Sequence, residues 1–336
     1  MLDGVKSPVT VVDFHAHFLA REVMVECAPH SVLTGFGAQP FEPPPPGSPR
    51  ALQTAKMLDP ALQLADMDAR GIDVHVISAS SILQYTGWAK PEHQAELERG
   101  SNDEAARWVG AAPDRFVGGF TLPLRDVGLA LRELVRAVDD LGLRVACLPS
   151  QSDGDYLGAQ RLRPVWEAIH ARGLPVLVHP DGIRDPWFQE YSLWNSVGQP
   201  IEEAKAVASL VLEGVLEQLP GLKIAVSHGG GYLPHYFGRL DRNVTNMPSS
   251  VRNISRTPSA YLHDLWYDTC VYDVSILEAL ASRYGAGRLV FGSDYPLGDE
   301  DHMAFVRGAE NLPGDDLEAV AGGNAAALLG GLEAAT

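Results

Sequence analysis

The chain has 336 residues, 46% of them hydrophobic and 21% charged, with a formal net charge of −17 at pH 7. That acidic excess argues against nucleic acid or an anionic membrane as partner. There is neither an apolar stretch of about 18 residues for a transmembrane helix nor an apolar leader with a small-residue cleavage site. Cys27, Cys147 and Cys270 lack C-x-x-C spacing, so no disulfide framework is expected and a reducing cytoplasm fits.

Strand-like apolar runs recur along the chain with helical patterns between them. The first, Val11–His17, ends in His15-Ala16-His17. In an extended strand, residues i and i+2 project from one face, so both imidazoles point the same way, as a single metal ion requires. Residues Phe18–Leu58 differ in character and hold Pro43-Pro44-Pro45-Pro46-Gly47-Ser48-Pro49. Four consecutive prolines favour polyproline II, and the stretch is too long for an ordinary βα loop. It reads as an insertion over the mouth of the fold or as a surface excursion without fixed structure.

Further strands are expected at Val74–Ser78, Phe116–Thr121, Arg144–Pro149, Pro175–His179, Lys223–His228, Leu265–Cys270 and Arg288–Gly292. Helices are expected at Pro60–Arg70, Leu129–Leu141, Arg163–Arg172, Ile201–Gln218 and Ser275–Arg283, with a short closing helix within Ala321–Thr336. Eight strands alternating with helices predict an α/β fold, a (β/α)8 TIM barrel, with residues 1–336 as one domain and 18–58 as its insertion. An open doubly wound sheet is the rival. It gives no reason for ligand-type residues to gather from the first, fifth, sixth and eighth strands, whereas in a barrel every strand ends at one mouth.

Those residues are His15 and His17 ending strand one, His179 ending strand five, His228 ending strand six and Asp294 following strand eight. Three neutral nitrogens and a carboxylate suit a catalytic divalent ion such as zinc. A base beside the site is also needed, and His228 is the candidate. Gly229-Gly230-Gly231 follows it, either for close approach of substrate or backbone or as a tight turn. A fourth-ligand role for His228 is the alternative. Asp13 is placed to orient a histidine ligand. Trp187 and Trp194 are a substrate platform or loop packing. His235 is expected on the helix after the glycine turn, with reach to the mouth as the alternative. His30, His75, His93, His170, His263 and His302 read as structural or exposed.

Several motifs in order resemble the amidohydrolase superfamily. They are Val12-Asp13-Phe14-His15-Ala16-His17, Leu177–Pro180, Ser227–Gly231, Gly238-Arg239-Leu240-Asp241 and Phe291–Pro296. With Asp59–Leu62 and Met67–Val74, they are most similar to the 2-amino-3-carboxymuconate-6-semialdehyde decarboxylase group. The resemblance implies a distorted barrel holding one Zn2+, and a His-rich donor set also accepts Mn2+ or Co2+. Its ligands would be His15, His17, His179 and Asp294. His228 would be the acid–base group acting on metal-held water or substrate, with Asp294 counted among the catalytic residues. Arg239 matches an arginine that reaches a neighbouring subunit's substrate carboxylate, which implies a homodimer. Arg50, nine residues before Asp59, matches a second substrate arginine after a one-residue shift. Strand four ends without the lysine that bridges two metals in binuclear relatives.

The expected activity is therefore metal-dependent decarboxylation of a carboxylated aromatic or muconate-type small molecule, with Arg50, Arg239 and Trp194 binding substrate. Hydrolysis or hydration of a related ring-fission product at the same site is the alternative, favoured by Asp268-Thr269-Cys270-Val271-Tyr272. A metal-binding but non-enzymatic barrel is the third reading, against which the retained His228 argues.

Overall fold

The computed structural model describes residues 10–32, 42–247, 249 and 252–331. Eight parallel strands make one sheet: β1 (Val12–Phe18), β2 (Val74–Ala79), β3 (Phe116–Phe120), β4 (Val145–Pro149), β5 (Pro175–His179), β6 (Lys223–Val226), β7 (Trp266–Asp268) and β8 (Leu289–Val290). They pair in sequence order. Closure comes from Phe14 N–H donating to the Phe291 carbonyl and His17 N–H to that of Tyr295, each at 2.8 Å. The result is the (β/α)8 barrel that the strand count predicts. Among the described residues no helix is long and apolar enough to cross a membrane.

Local chemistry sets the helix ends. The Asp59 carboxylate accepts from Ala61 N–H (2.9 Å) with Pro60 in the first turn, and Gly71 ends that helix in the left-handed region. The expected helix Ile201–Gln218 is two helices, Gln199–Leu212 and Val215–Gln218, because Gly214 between them is left-handed. That expected at Leu129–Leu141 is Val127–Val135 followed by a π turn. Within 18–58, Phe18 completes β1, and helices Arg21–Cys27 and Pro49–Leu58 flank a segment of which residues 33–41 lie outside the described part. The closing helix is Asn324–Leu329; residues 332–336 of that expectation also lie outside it.

Packing divides into two layers. Inside the barrel, Val12, Phe14, Val74, Val76, Val145, Cys147, Leu177 and Val290 meet Ala325, Leu328 and Leu329 of the closing helix. Outside, a larger cluster that includes Met67, Trp108, Trp166 and Leu210 joins strands to helices. Strict alternation could not send both Phe14 and His15 inward. The β1–β2 register shifts between Asp13, opposite His75, and Ala16, opposite Ile77. This bulge switches which face each residue takes. Below it Phe14 fills the core, and above it His15 and His17 enter the mouth.

Glu98, on the 21-residue helix Pro91–Ala111, is buried; one oxygen accepts from Thr86 Oγ1 and the other has no partner. Burial pushes its carboxyl up from 4.5 to about 8. Between those values the folded chain keeps a proton that the unfolded chain has lost, so stability falls as pH rises through that window. Glu98→Gln should therefore raise the melting temperature more at about pH 8.5 than at about pH 5.5. Equal shifts in thermal denaturation at both pH values would contradict this.

Candidate active site

Five side chains meet at the C-terminal mouth. His15 and His17 come from β1, His179 from the last residue of β5, His228 from the turn after β6 and Asp294 from the segment after β8. Ring centroids of His15, His17 and His179 lie 4.9–5.0 Å apart, and that of His228 lies 5.3 Å from His15 and His179. One ligand-type atom from each of His15, His17, His179 and Asp294 falls within 4.8 Å of the others. Asp294 Oδ1 is 2.9 Å from His17 Nε2 and 3.4 Å from His15 Nε2.

The outer nitrogens of the first two rings are already committed. Asp268 Oδ2 accepts from His15 Nδ1–H at 2.6 Å. Ser78 Oγ donates to the Ala16 carbonyl, which leaves it to accept from His17 Nδ1–H at 3.0 Å. Both rings then turn unprotonated Nε2 atoms inward, 3.1 Å apart. Facing lone pairs at that distance repel unless a positive charge lies against them. Burial disfavours an imidazolium at His15, but Asp268 and Asp294 outweigh it and raise its pKa above the ordinary value. Burial, with His15 and His228 beside it, holds His17 below its ordinary value despite the Asp294 contact, so a proton is favoured on one ring only, whereas a divalent ion would face both Nε2 atoms. Burial and the neighbouring rings hold His179 well below the usual histidine range, which keeps it neutral as a ligand must be. The donor set fits a divalent metal.

His228 is supported differently. The expected strand Lys223–His228 stops at Val226, and Ser227 starts a turn in which His228 (φ 49°) and Gly229 (φ 61°) are left-handed. Its Nδ1 lies 2.6 Å from Glu203 Oε1, which also accepts from Ser227 Oγ at 2.7 Å. Burial opposes charge on this ring, yet Glu203 and Asp294 raise its pKa well above the ordinary value. The glycines have a packing role in the fold. A Cβ at Gly231 (φ 65°) would stand 2.3 Å from the Pro200 carbonyl oxygen and 3.0 Å from Glu203 Oε2.

Two partners found here carry no linear signature of the contacts they make. Asp268 is 253 residues from His15, and Glu203 lies on the helix Gln199–Leu212 among ordinary acidic residues. Ser78 carried a weak signal, a polar residue ending the run Val-His-Val-Ile-Ser. Asp13 does not touch a ligand ring. It accepts from His15 N–H (3.0 Å) and Ser293 N–H (3.1 Å), so it positions backbone instead. Each other histidine set aside above has a packing or hydrogen-bonding role or is exposed, as in His75 with Gln63 (2.7 Å) and His30 stacked on Trp88 (3.7 Å).

A cleft of about 1050 Å³ opens over the cluster, lined by His17, His179 and Asp294 together with Arg50, Trp194 and Tyr272. Pro43–Pro45 form part of its wall. Trp187, 61% exposed, stands outside it, which separates the two tryptophans. Arg239 is exposed on the helix Gly238–Asn246 and does not line its own chain's cleft; His235, just before that helix, does not either.

The amidohydrolase family model matches residues 12–331. The chain is 29% identical over 276 residues to the 2-amino-3-carboxymuconate-6-semialdehyde decarboxylase of Dictyostelium discoideum, covering 81% of this chain and 77% of that one. With the gamma-resorcylate decarboxylase of Rhodococcus jostii it shares 28% identity over 299 residues, covering 82% and 88%. The structure of 5-carboxyvanillate decarboxylase from Sphingomonas paucimobilis matches with a TM-score of 0.85 and 25% identity, over 96% of this chain and 99% of that one. The fold is also that of a manganese-bound dihydroxybenzoic acid decarboxylase from Polaromonas, with a TM-score of 0.78, 22% identity, and coverage of 96% and 97%.

Gly231→Ala should destabilise the protein by at least ~1–3 kcal/mol, because the backbone region is essentially closed to alanine and the Cβ has no room. Denaturant unfolding reads this directly, and a variant as stable as the parent would refute the close-packing account of the glycine run.

Proposed function

The chain belongs to the amidohydrolase family, and on that premise we propose that it is a metal-dependent, non-oxidative decarboxylase of a carboxylated aromatic or muconate-semialdehyde-type small molecule. The observation that carries this reading is the convergence of His15, His17, His179 and Asp294 at one point, with His228 beside them. Those four residues would hold one divalent ion. Three imidazoles and a carboxylate suit Zn2+, and the same donors accept Mn2+ or Co2+. When bound, such an ion polarises the oxygens of a carboxylated substrate and offsets the charge left as carbon dioxide departs.

The chain's own residues supply the rest. Replacing a C–CO2 bond by C–H requires one proton delivered to carbon, and His228 is the group placed to deliver it. Glu203 holds its Nδ1, so Nε2 stays aimed at the mouth and an imidazolium is stabilised there. Arg50 offers a guanidinium to the substrate's charged groups, and Trp194 a flat apolar face to its ring. The segment with Pro43–Pro45 walls the cleft as a lid would. We assign Arg239 to the neighbouring site of a homodimer, since it is exposed and away from its own cleft. Three free, buried cysteines fit a cytoplasmic setting. The decarboxylase names of the relatives support the reaction class. The deciding assay is carbon dioxide release by the metal-loaded protein across aromatic and muconate carboxylates. Turnover without carbon dioxide would shift the assignment to hydrolysis or hydration.

One tightly held divalent ion per chain is expected after dialysis, and His15→Ala or Asp294→Ala should lose most of it by elemental analysis. His228→Ala should keep the ion yet lose roughly 10²–10⁴ in turnover. Loss of metal in that variant would make His228 a ligand instead. Arg239→Ala should lose activity with its metal intact, and mixing it with His228→Ala should restore some. In exchanged heterodimers one site has both an intact His228 and an intact Arg239 from across the interface. No recovery after verified subunit exchange would place Arg239 in its own chain.

A further inference from the structure

We propose that His228, Cys270 and Asp294 form a second cation position beside the first, which takes a thiophilic divalent ion and, when filled, removes His228 from proton transfer. The inference rests on reading His15, His17, His179 and Asp294 as ligands of the first ion. One nitrogen, one sulfur and one carboxylate oxygen of these three residues lie within 4.8 Å of one another. Asp294 divides its oxygens between the two groups. Oδ1 is 2.9 Å from His17 Nε2, and Oδ2 is 3.9 Å from His228 Nε2. A carboxylate placed this way has one oxygen for each of two ions.

Cys270 is buried two residues beyond β7, and no step of the proposed decarboxylation uses it. Its thiol donates to Tyr272 Oη at 3.2 Å, and Tyr272 lines the cleft, so the sulfur lies directly behind the cleft wall. Tyr272 is held in the left-handed region (φ 57°), which keeps its ring at the cleft wall.

Donor chemistry separates the two positions. Imidazole and carboxylate accept manganese, zinc or cobalt, whereas a thiolate selects zinc-like ions over manganese. Uptake at the second position exchanges the Cys270 S–H bond for an S–metal bond, and the displaced proton passes to the buffer. His228 Nε2 then carries a metal and cannot carry a proton. Excess Zn2+ should therefore inhibit the manganese-loaded enzyme while excess Mn2+ does not. Activity would follow the balance of the two ions.

The test is a Co2+ titration of the metal-depleted, full-length protein, followed by absorption. The first equivalent should give visible d–d bands without thiolate character. The second should add the near-ultraviolet thiolate-to-cobalt charge-transfer band. Cys270→Ala should keep the first step, lose that band and weaken Zn2+ inhibition by roughly tenfold or more; Cys270→Ser provides the same comparison if the alanine variant does not fold. Saturation at one equivalent without the band, or a band that survives both substitutions, overturns the second position alone. A first equivalent that fails to bind, or binds undiminished in His15→Ala, overturns the first site and the second with it.

Discussion

The buried carboxylate of Asp13 fastens the first strand of the barrel to the segment after the last. It accepts from the backbone of His15, the backbone of Ser293 and the Ser293 hydroxyl. β8 has only two residues, so this side-chain bracket acts beside a few backbone bonds across the seam, among them those from Phe14 N–H to Phe291 and from His17 N–H to Tyr295. Because Ser293 precedes Asp294, the bracket sets where that carboxylate stands relative to His15 and His17. Burial pushes Asp13 up to about 6 against the pull of those hydrogen bonds. The bulge in β1 lies at the same place, and one short stretch therefore both aims the two imidazoles inward and sets their distance from Asp294.

From that seam the mouth is braced outward. Asp268 grips His15 through one oxygen and the Gly229 N–H through the other, so a single carboxylate ties β1 to the His228 turn. Glu203 grips that turn from the helix behind it. His228 and Asp294 both sit in the left-handed region, where a residue with a side chain persists only when its surroundings hold it. The surrounding bonds provide that hold, and the rings are positioned before any ligand arrives.

Much of this was legible in the chain. Strand count and order, the paired imidazoles and the gathering of His179, His228 and Asp294 follow from short-range alternation and the geometry of a closed barrel. What failed was local where a backbone turned left-handed. Gly214 breaks a helix whose apolar pattern runs through it, and His228 leaves its strand two residues early, because neither event interrupts the hydrophobic pattern. The bulge was invisible for a related reason: Phe14 and His15 are each plausible inward residues, and only pairing with β2 shows that both are. The bracing roles of Asp268 and Glu203 could not be read, since what defines them is a partner brought near by the fold.

The Asp13–Ser293 bond spans 280 residues. At ~5–20 residues per second of synthesis, His15 emerges roughly 15–55 s before the chain that completes its pocket. The inner core waits longer still, for Ala325, Leu328 and Leu329. During that interval the first strand has neither its seam partner nor its floor, and the imidazoles have no Asp268 or Asp294 to arrange them. The four-residue cluster is thus complete only on a nearly finished barrel. Contacts of such long sequence separation also predict slow folding, which leaves the apolar first strand dependent on protection from aggregation until the last segment arrives.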